Sequence, residues 1–244
     1  MSDGPAVVLE HVSKSFGHKP ILQDVSFHVH PGEALCILGR SGTGKSVTLK
    51  LIISLLKPEQ GQIWIEGENI TRLHAADLSR VRRKMGFLFQ SAALFDSLTL
   101  YENLALPLVR LTSKSSAEIE TIIDRVLRDV GLGNDRERMP AELSGGMRKR
   151  AGLARALVLE PRILLVDEPS SGLDRITASE IDELLLKEKV ARRTTLIVVT
   201  HDVRGARRLA DRIAVLDHGR LIADGTVEDV QHSEHEIARS LISE

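Results

Sequence analysis

Apolar and polar positions follow two rhythms along this chain. Short β-rich runs at residues 6–12, 25–29, 35–38, 62–65, 86–89, 163–166, 196–199 and 213–216 each predict a strand. The runs at 163–166 and 196–199 are continuously apolar, as strands covered on both faces by helices must be, so a parallel sheet core is expected. The run at 25–29 alternates instead, with Val25, Phe27 and Val29 on one side and Ser26, His28 and His30 on the other, which predicts a half-exposed antiparallel sheet. Between residues 91 and 160 the strand pattern gives way to helical spacing, as in Ile119, Ile122, Ile123, Val126, Leu127 and Val130. Helices are also predicted over 47–56 and 148–159. Ile237, Leu241 and Ile242 predict one amphipathic helix within 227–244 that packs on its own domain.

The organisation that follows is α/β in class. A single unit, 1–244, has a parallel-sheet core from 1–90 and 160–244, an antiparallel β subdomain near its N-terminus, and an inserted α-helical subdomain over 91–159.

Composition narrows the function classes. The chain has 244 residues, 42% of them hydrophobic, enough for one substantial core and a smaller lobe. Lys plus Arg (33) nearly balance Asp plus Glu (34), which leaves no broad positive field for nucleic acid or anionic lipid. The single cysteine, Cys36, forms no internal disulfide and sits in an apolar strand, so a reducing compartment and a buried structural thiol are expected. Met1-Ser2-Asp3-Gly4-Pro5 lacks the basic start and apolar stretch of a signal peptide, and no run reaches about 18 apolar residues. A cytoplasmic polypeptide that docks on a membrane protein fits these facts.

The sharpest chemical signal is Gly39-Arg40-Ser41-Gly42-Thr43-Gly44-Lys45-Ser46, placed between the apolar strand 35–38 and the helix that Val47 opens. Strand, glycine loop and helix in that order form a P-loop. Its glycines let backbone N–H groups turn inward around phosphates, and the positive end of the following helix faces the anion. Lys45 is suited to the β- and γ-phosphates, and the Ser46 hydroxyl to Mg²⁺.

A second signal is the strand 163–166 ending in Asp167 and Glu168. Asp167 is suited to hold Mg²⁺ through water, and Glu168 to polarise an attacking water. By itself an acidic pair after a strand is commonplace; behind a P-loop it gains meaning. The third signal is Leu143-Ser144-Gly145-Gly146-Met147, where Ser144 caps a helix and two glycines expose N–H groups. In isolation it reads as an ordinary cap. With one P-loop already serving the phosphates, it suggests contact with the nucleotide of another copy.

Those motifs, in that order and over nearly the whole chain, resemble the nucleotide-binding subunit of ATP-binding cassette (ABC) transporters. Leu143 to Gly146 match that family's signature, while Met147 stands in place of Gln. The resemblance implies further roles. Gln90 fits the Q-loop glutamine that touches Mg²⁺ and the lobe meeting the membrane partner. His201 fits the switch histidine at the γ-phosphate, and Ser171-Gly172-Leu173-Asp174 the D-loop that crosses a dimer interface. Phe16 fits the aromatic that stacks on adenine. It further implies ATP hydrolysis by a head-to-tail homodimer, with each ATP held between one P-loop and the other copy's Ser144, Gly145 and Gly146. Arg175 replaces the usual Pro after Asp174, which is expected to loosen the D-loop turn, and Phe16 replaces the commoner Tyr.

Two stretches narrow the resemblance: residues 89–103, from Phe89-Gln90-Ser91-Ala92-Ala93-Leu94-Phe95 through Asn103, and Leu143 to Arg150. Both are similar to the ATPases of Mce-domain lipid transporters, the Mla type. This implies a phospholipid or related cargo, an integral membrane permease, an Mce-domain partner, and a place on the cytoplasmic face of the inner membrane; a small accessory regulator stays open. Ala93, Leu94, Phe95, Leu98 and Tyr101 offer an apolar surface for a permease helix, although core packing explains half of them equally well. Competing readings are an ATPase for amino acids, metals or lipoprotein release, a soluble ABC ATPase acting on nucleic acid or the ribosome, and a nucleotide kinase. The pairs His28/His30 and His232/His235 lack a third metal ligand and read as exposed polar residues.

Overall fold

The computed structural model describes residues 4–243, so the leader reading at Met1 to Asp3 and the terminal Glu244 lie outside the described residues. The chain forms β1 (Val7–Phe16), β2 (Lys19–Val29), β3 (Ala34–Leu38), α1 (Lys45–Ile52), β4 (Gln60–Ile65), β5 (Glu68–Asn69), α2 (Ala75–Arg82), β6 (Met85–Leu88), α3 (Leu100–Leu111), α4 (Ser116–Asp129), α5 (Gly145–Leu157), β7 (Ile163–Asp167), α6 (Arg175–Arg192), β8 (Thr195–Thr200), α7 (Val203–Leu209), β9 (Arg212–Asp217), β10 (Arg220–Gly225), α8 (Val227–Gln231) and α9 (Glu236–Ser243).

Two sheets organise these elements. One has the order β2-β1-β4-β5 and is antiparallel throughout. The other runs β10-β9-β3-β8-β7-β6; its five strands from β9 to β6 are parallel and β10 closes the edge antiparallel to β9. The fold is thus the expected P-loop NTPase sheet with an antiparallel β subdomain. Central strand β3 shows why such strands read as unbroken apolar runs. All five of its residues are buried, with Leu35 and Ile37 facing the antiparallel sheet, α1 and α2, and Ala34, Cys36 and Leu38 facing α5, α6 and α7. Burial pushes the Cys36 thiol far above its ordinary range, so it behaves as a small apolar side chain.

A third core lies between α3, α4 and the middle of α5, where Leu104, Leu108, Ile123, Leu127, Ala151 and Ala154 close on one another. Both α3 and α4 begin with capping boxes, Thr99 with Glu102 and Ser115 with Glu118, which fix where each helix starts.

Several boundaries differ from the expectation. The tail is two helices: Thr226 and Asp229 box the start of α8, and after His232 the Ser233 carbonyl is taken by Arg239 while its hydroxyl accepts from His235 N–H. Helix α1 stops at Ile52, four residues short, and α5 runs Gly145–Leu157. Helix α2 carries only Leu78 and Val81 inward, too sparse a stripe to read from sequence. His28 and His30 share a face, their ring centroids 4.9 Å apart. No helix among the described residues is long and apolar enough to cross a membrane.

Candidate nucleotide-binding site

The site grows from the C-terminal ends of the parallel strands, where an open α/β sheet presents its chemistry. β3 delivers the glycine loop, β6 delivers Gln90, β7 ends on Asp167 with Glu168 next, and β8 is followed by His201. At Gly44, φ is 107° and a Cβ would stand 2.9 Å from the Ile21 carbonyl oxygen, so this position excludes a side chain. The loop tightens around its own lysine: Lys45 Nζ donates to the Gly39 and Arg40 carbonyls at 2.7 and 3.1 Å. Thr43 Oγ1 adds a bond to the Arg40 carbonyl at 2.9 Å.

Glu168 stands at the centre. Its Oε1 lies 3.5 Å from Lys45 Nζ and its Oε2 2.8 Å from His201 Nδ1, and Oε2 also accepts from the His201 main-chain N–H. One step back, Ser46 Oγ donates to Asp167 Oδ1 at 2.8 Å. Burial pushes the Asp167 carboxyl above its usual range, and the Ser46 hydroxyl opposes that rise by stabilising the anion. Hydroxyl and carboxylate oxygens side by side are the hard donors that Mg²⁺ prefers.

Ser41, Gly42, Gly44, Lys45, Ser46, Val47, Gln90, Glu168 and His201 line one cleft of about 390 Å³, and Lys19 and Ile21 complete its wall. The last two escaped the sequence reading because nothing in a hairpin strand marks which residues will abut a distant loop. Gly39 and Arg40 turn toward a neighbouring recess beside α9. Gln90 Nε2 is 3.3 Å from Ser171 Oγ, joining the Q-loop to the turn before α6.

Phe16, Ser144, Gly145, Gly146 and Asp174 line no part of that cleft. Phe16 is half-exposed at the end of β1, with Lys14 Nζ 5.5 Å from its ring. Ser144 and Gly145 are exposed at the start of α5, where Ser144 Oγ accepts from Met147 N–H. Gly146 is buried against α6: a methyl there would overlap Thr177 Cγ2, so packing within the chain already demands glycine. Asp174 caps α6, accepting from Ile176 and Thr177 N–H and from Thr177 Oγ1 at 2.6 Å. The preceding turn is closed by Ser171 N–H to the Glu168 carbonyl and Leu173 N–H to the Ser170 carbonyl.

Beyond the cleft, Phe95 is half-exposed and Ala93 exposed, whereas Leu94 and Tyr101 pack into the helical core, so the apolar segment divides as the two readings allowed. The buried Asn103 pins its backbone by donating to the Phe95, Leu98 and Thr99 carbonyls.

A family model described as ABC transporter matches residues 22–171. The chain is 43% identical over 243 residues to the probable ribonucleotide transport ATP-binding protein mkl of Mycobacterium leprae, spanning 100% of this chain and 70% of that protein. It is 40% identical over 228 residues to the methionine import ATP-binding protein MetN 1 of Bacillus cereus, spanning 92% of this chain and 66% of that one. The ATP-binding cassette MJ0796, solved as a dimer in a post-hydrolysis state with ADP and Pi, superposes with a TM-score of 0.84 at 34% identity, covering 90% of this chain and 98% of that one. The cbiO1 protein of Clostridium perfringens, part of the cbiONQ complex, superposes with a TM-score of 0.83 at 26% identity, covering 98% and 99%. The chain belongs to the ABC transporter family, as an ATP-binding and ATP-hydrolysing cassette.

Proposed function

We propose that two copies of this chain work head to tail as the motor of a lipid transporter, docked on the cytoplasmic face of a membrane permease that acts with an Mce-domain partner. The observation that carries the motor reading is Glu168, held between Lys45 and His201 at the mouth of the P-loop cleft. In this reading the Glu168 carboxylate accepts the proton of the attacking water, and His201, fixed by its bond to the same carboxylate, reaches the γ-phosphate. Lys45 supplies positive charge to the β- and γ-phosphates, with Phe16 against the base. Ser46, Asp167 and Gln90 would hold Mg²⁺, which supplies charge neutralisation on the phosphates when bound. Ser144, Gly145 and Gly146 close over the nucleotide of the other copy, with Asp174 at the seam.

The relative solved as a dimer and the relative described as part of the ABC transporter complex cbiONQ support the dimer and the permease. The lipid cargo rests on residues 89–103 and on Met147 in the signature, both similar to Mce-associated ATPases. A second reading, transport of another solute, is favoured by relatives named for ribonucleotide transport and methionine import. Gentle detergent extraction of the tagged chain from native membranes, followed by mass spectrometry, separates them. Recovery of a permease with an Mce-domain protein is the expected outcome; a permease with a solute-binding protein would move the cargo to the second reading, and a ribosomal or DNA-repair partner would overturn both.

A further inference from the structure

Glu168 adopts a left-handed backbone, with φ at 48°, which a side chain other than glycine keeps only when its surroundings over-determine it. Its N–H donates to the Val199 carbonyl at 2.9 Å, tying it to β8. Its own carbonyl accepts twice: from Ser171 N–H at 3.3 Å, which closes the turn toward α6, and from Lys149 Nζ at 2.8 Å. Lys149 lies in the second turn of α5 and is only 5% exposed, an unusual place for an ammonium group. Burial pulls its pKa down, while the Asp167 and Glu168 carboxylates favour its charged form.

We propose that Lys149 is a positioning residue for ATP hydrolysis: it reaches from the helix headed by Ser144, Gly145 and Gly146 and fixes the Glu168 main chain in the conformation that aims its carboxylate at the cleft. The inference rests on Glu168 being the water-polarising group. A buried ammonium suits the task for two reasons. Its long stem spans from α5 to the end of β7, and its charge strengthens the bond that Nζ donates to the Glu168 carbonyl at 2.8 Å. The same side chain joins α5, whose exposed start is the surface offered to a second copy, to the turn 168–171 that leads into Asp174. A displacement of α5 therefore pulls directly on Glu168.

Steady-state ATPase assays on the full chain test this, with Lys149→Met keeping the apolar stem and removing the donor. A fall in kcat on the order of 10- to 100-fold, with KM for ATP within about twofold of the original, is expected, because nucleotide contacts stay while the carboxylate loses its aim. A kcat within about twofold of the original, or a loss that falls on KM instead, overturns the proposal. Should Lys149→Met fail to fold, Lys149→Gln, which offers the buried stem a polar end but falls short of the Glu168 carbonyl, is held to the same split. Glu168→Gln is measured alongside. Normal turnover in that variant would remove the reading of Glu168 itself, whereas a dead Glu168→Gln beside a normal Lys149→Met would remove only the role of Lys149.

Discussion

The two ends of the proposed nucleotide site differ in how far one chain can finish them. Around the P-loop the functional groups are held by partners from other elements: Lys45 by two carbonyls and a carboxylate, Ser46 by Asp167, and Glu168 by Lys45, Lys149, Val199 and His201. At the start of α5, Ser144 and Gly145 face outward with only the helix's own cap to satisfy. In the proposed head-to-tail pair, the preorganised half of one copy meets the exposed half of the other. Preorganised charge accelerates chemistry because it needs no rearrangement when charge develops. An exposed cap can only wait.

The largest effects should come from the preorganised half. Glu168→Gln is expected to lower turnover on the order of 10²–10⁴-fold while ATP still binds, because it removes the proton acceptor and little else. Lys45→Ala should instead weaken binding itself, seen as a rise in the ATP dissociation constant by titration calorimetry. Equal affinity in that variant would undo the assignment of the loop.

Next comes a test that joins the halves. Ser144→Arg should abolish turnover yet leave ATP affinity of the isolated chain unchanged, since Ser144 lines no part of its own cleft. Mixing separately inactive Ser144→Arg and Lys45→Ala chains should then restore turnover, for a head-to-tail pair contains one site with an intact P-loop and an intact Ser144. No recovery on mixing would break the division drawn between the halves.

The preorganised half was also the more legible one in sequence. A P-loop is local: glycine spacing, a preceding apolar strand and a following helix all fall within about twenty residues, so the pattern carries its own geometry. Asp167 and Glu168 could be placed because they end and follow a buried strand, and His201 through the family resemblance. Lys149 was not legible, although it stands inside the quoted run Leu143 to Arg150, because a lysine on a helix ordinarily faces water and only tertiary packing turns this one inward. Lys19 and Ile21 escaped because nothing in a hairpin strand marks which residues will abut a distant loop. The tail was read as one helix because periodicity is blind to a cap, and the Thr226 box and Ser233 decide the break.

A smaller effect is expected at Gly146, where the start of α5 packs on α6. A methyl at this position meets Thr177 Cγ2, so Gly146→Ala should cost about 1–3 kcal/mol of stability through overpacking. Thr177→Ser removes the offending methyl and keeps the hydroxyl that bonds Asp174. If the double variant regains both the unfolding midpoint and turnover, Gly146 is required by packing alone. If stability returns without turnover, the exposed N–H face of α5 needs glycine as well.

The smallest effect contrasts two buried carboxylates. Asp167 is compensated by the Ser46 hydroxyl, but Asp182 of α6 has only Arg208 at 3.8 Å, a guanidinium shared with Ser179 and Glu183, while Asp202 and Glu183 repel it. Burial pushes Asp182 up to about 6. Because the folded chain then holds this proton more tightly than the unfolded chain, the group favours folding as pH falls through about 6 and levels off near the ordinary aspartate range. Between pH 7 and 5 that share is about 1 kcal/mol. Asp182→Asn fixes the neutral state, so the variant should be the more stable at pH 7, with its advantage shrinking by that amount on acidification. Denaturant unfolding of both proteins at the two pH values measures the gap, and a gap that does not change with pH would mean that the Asp182 carboxyl keeps the ordinary aspartate range despite its burial, erasing the contrast with the compensated Asp167.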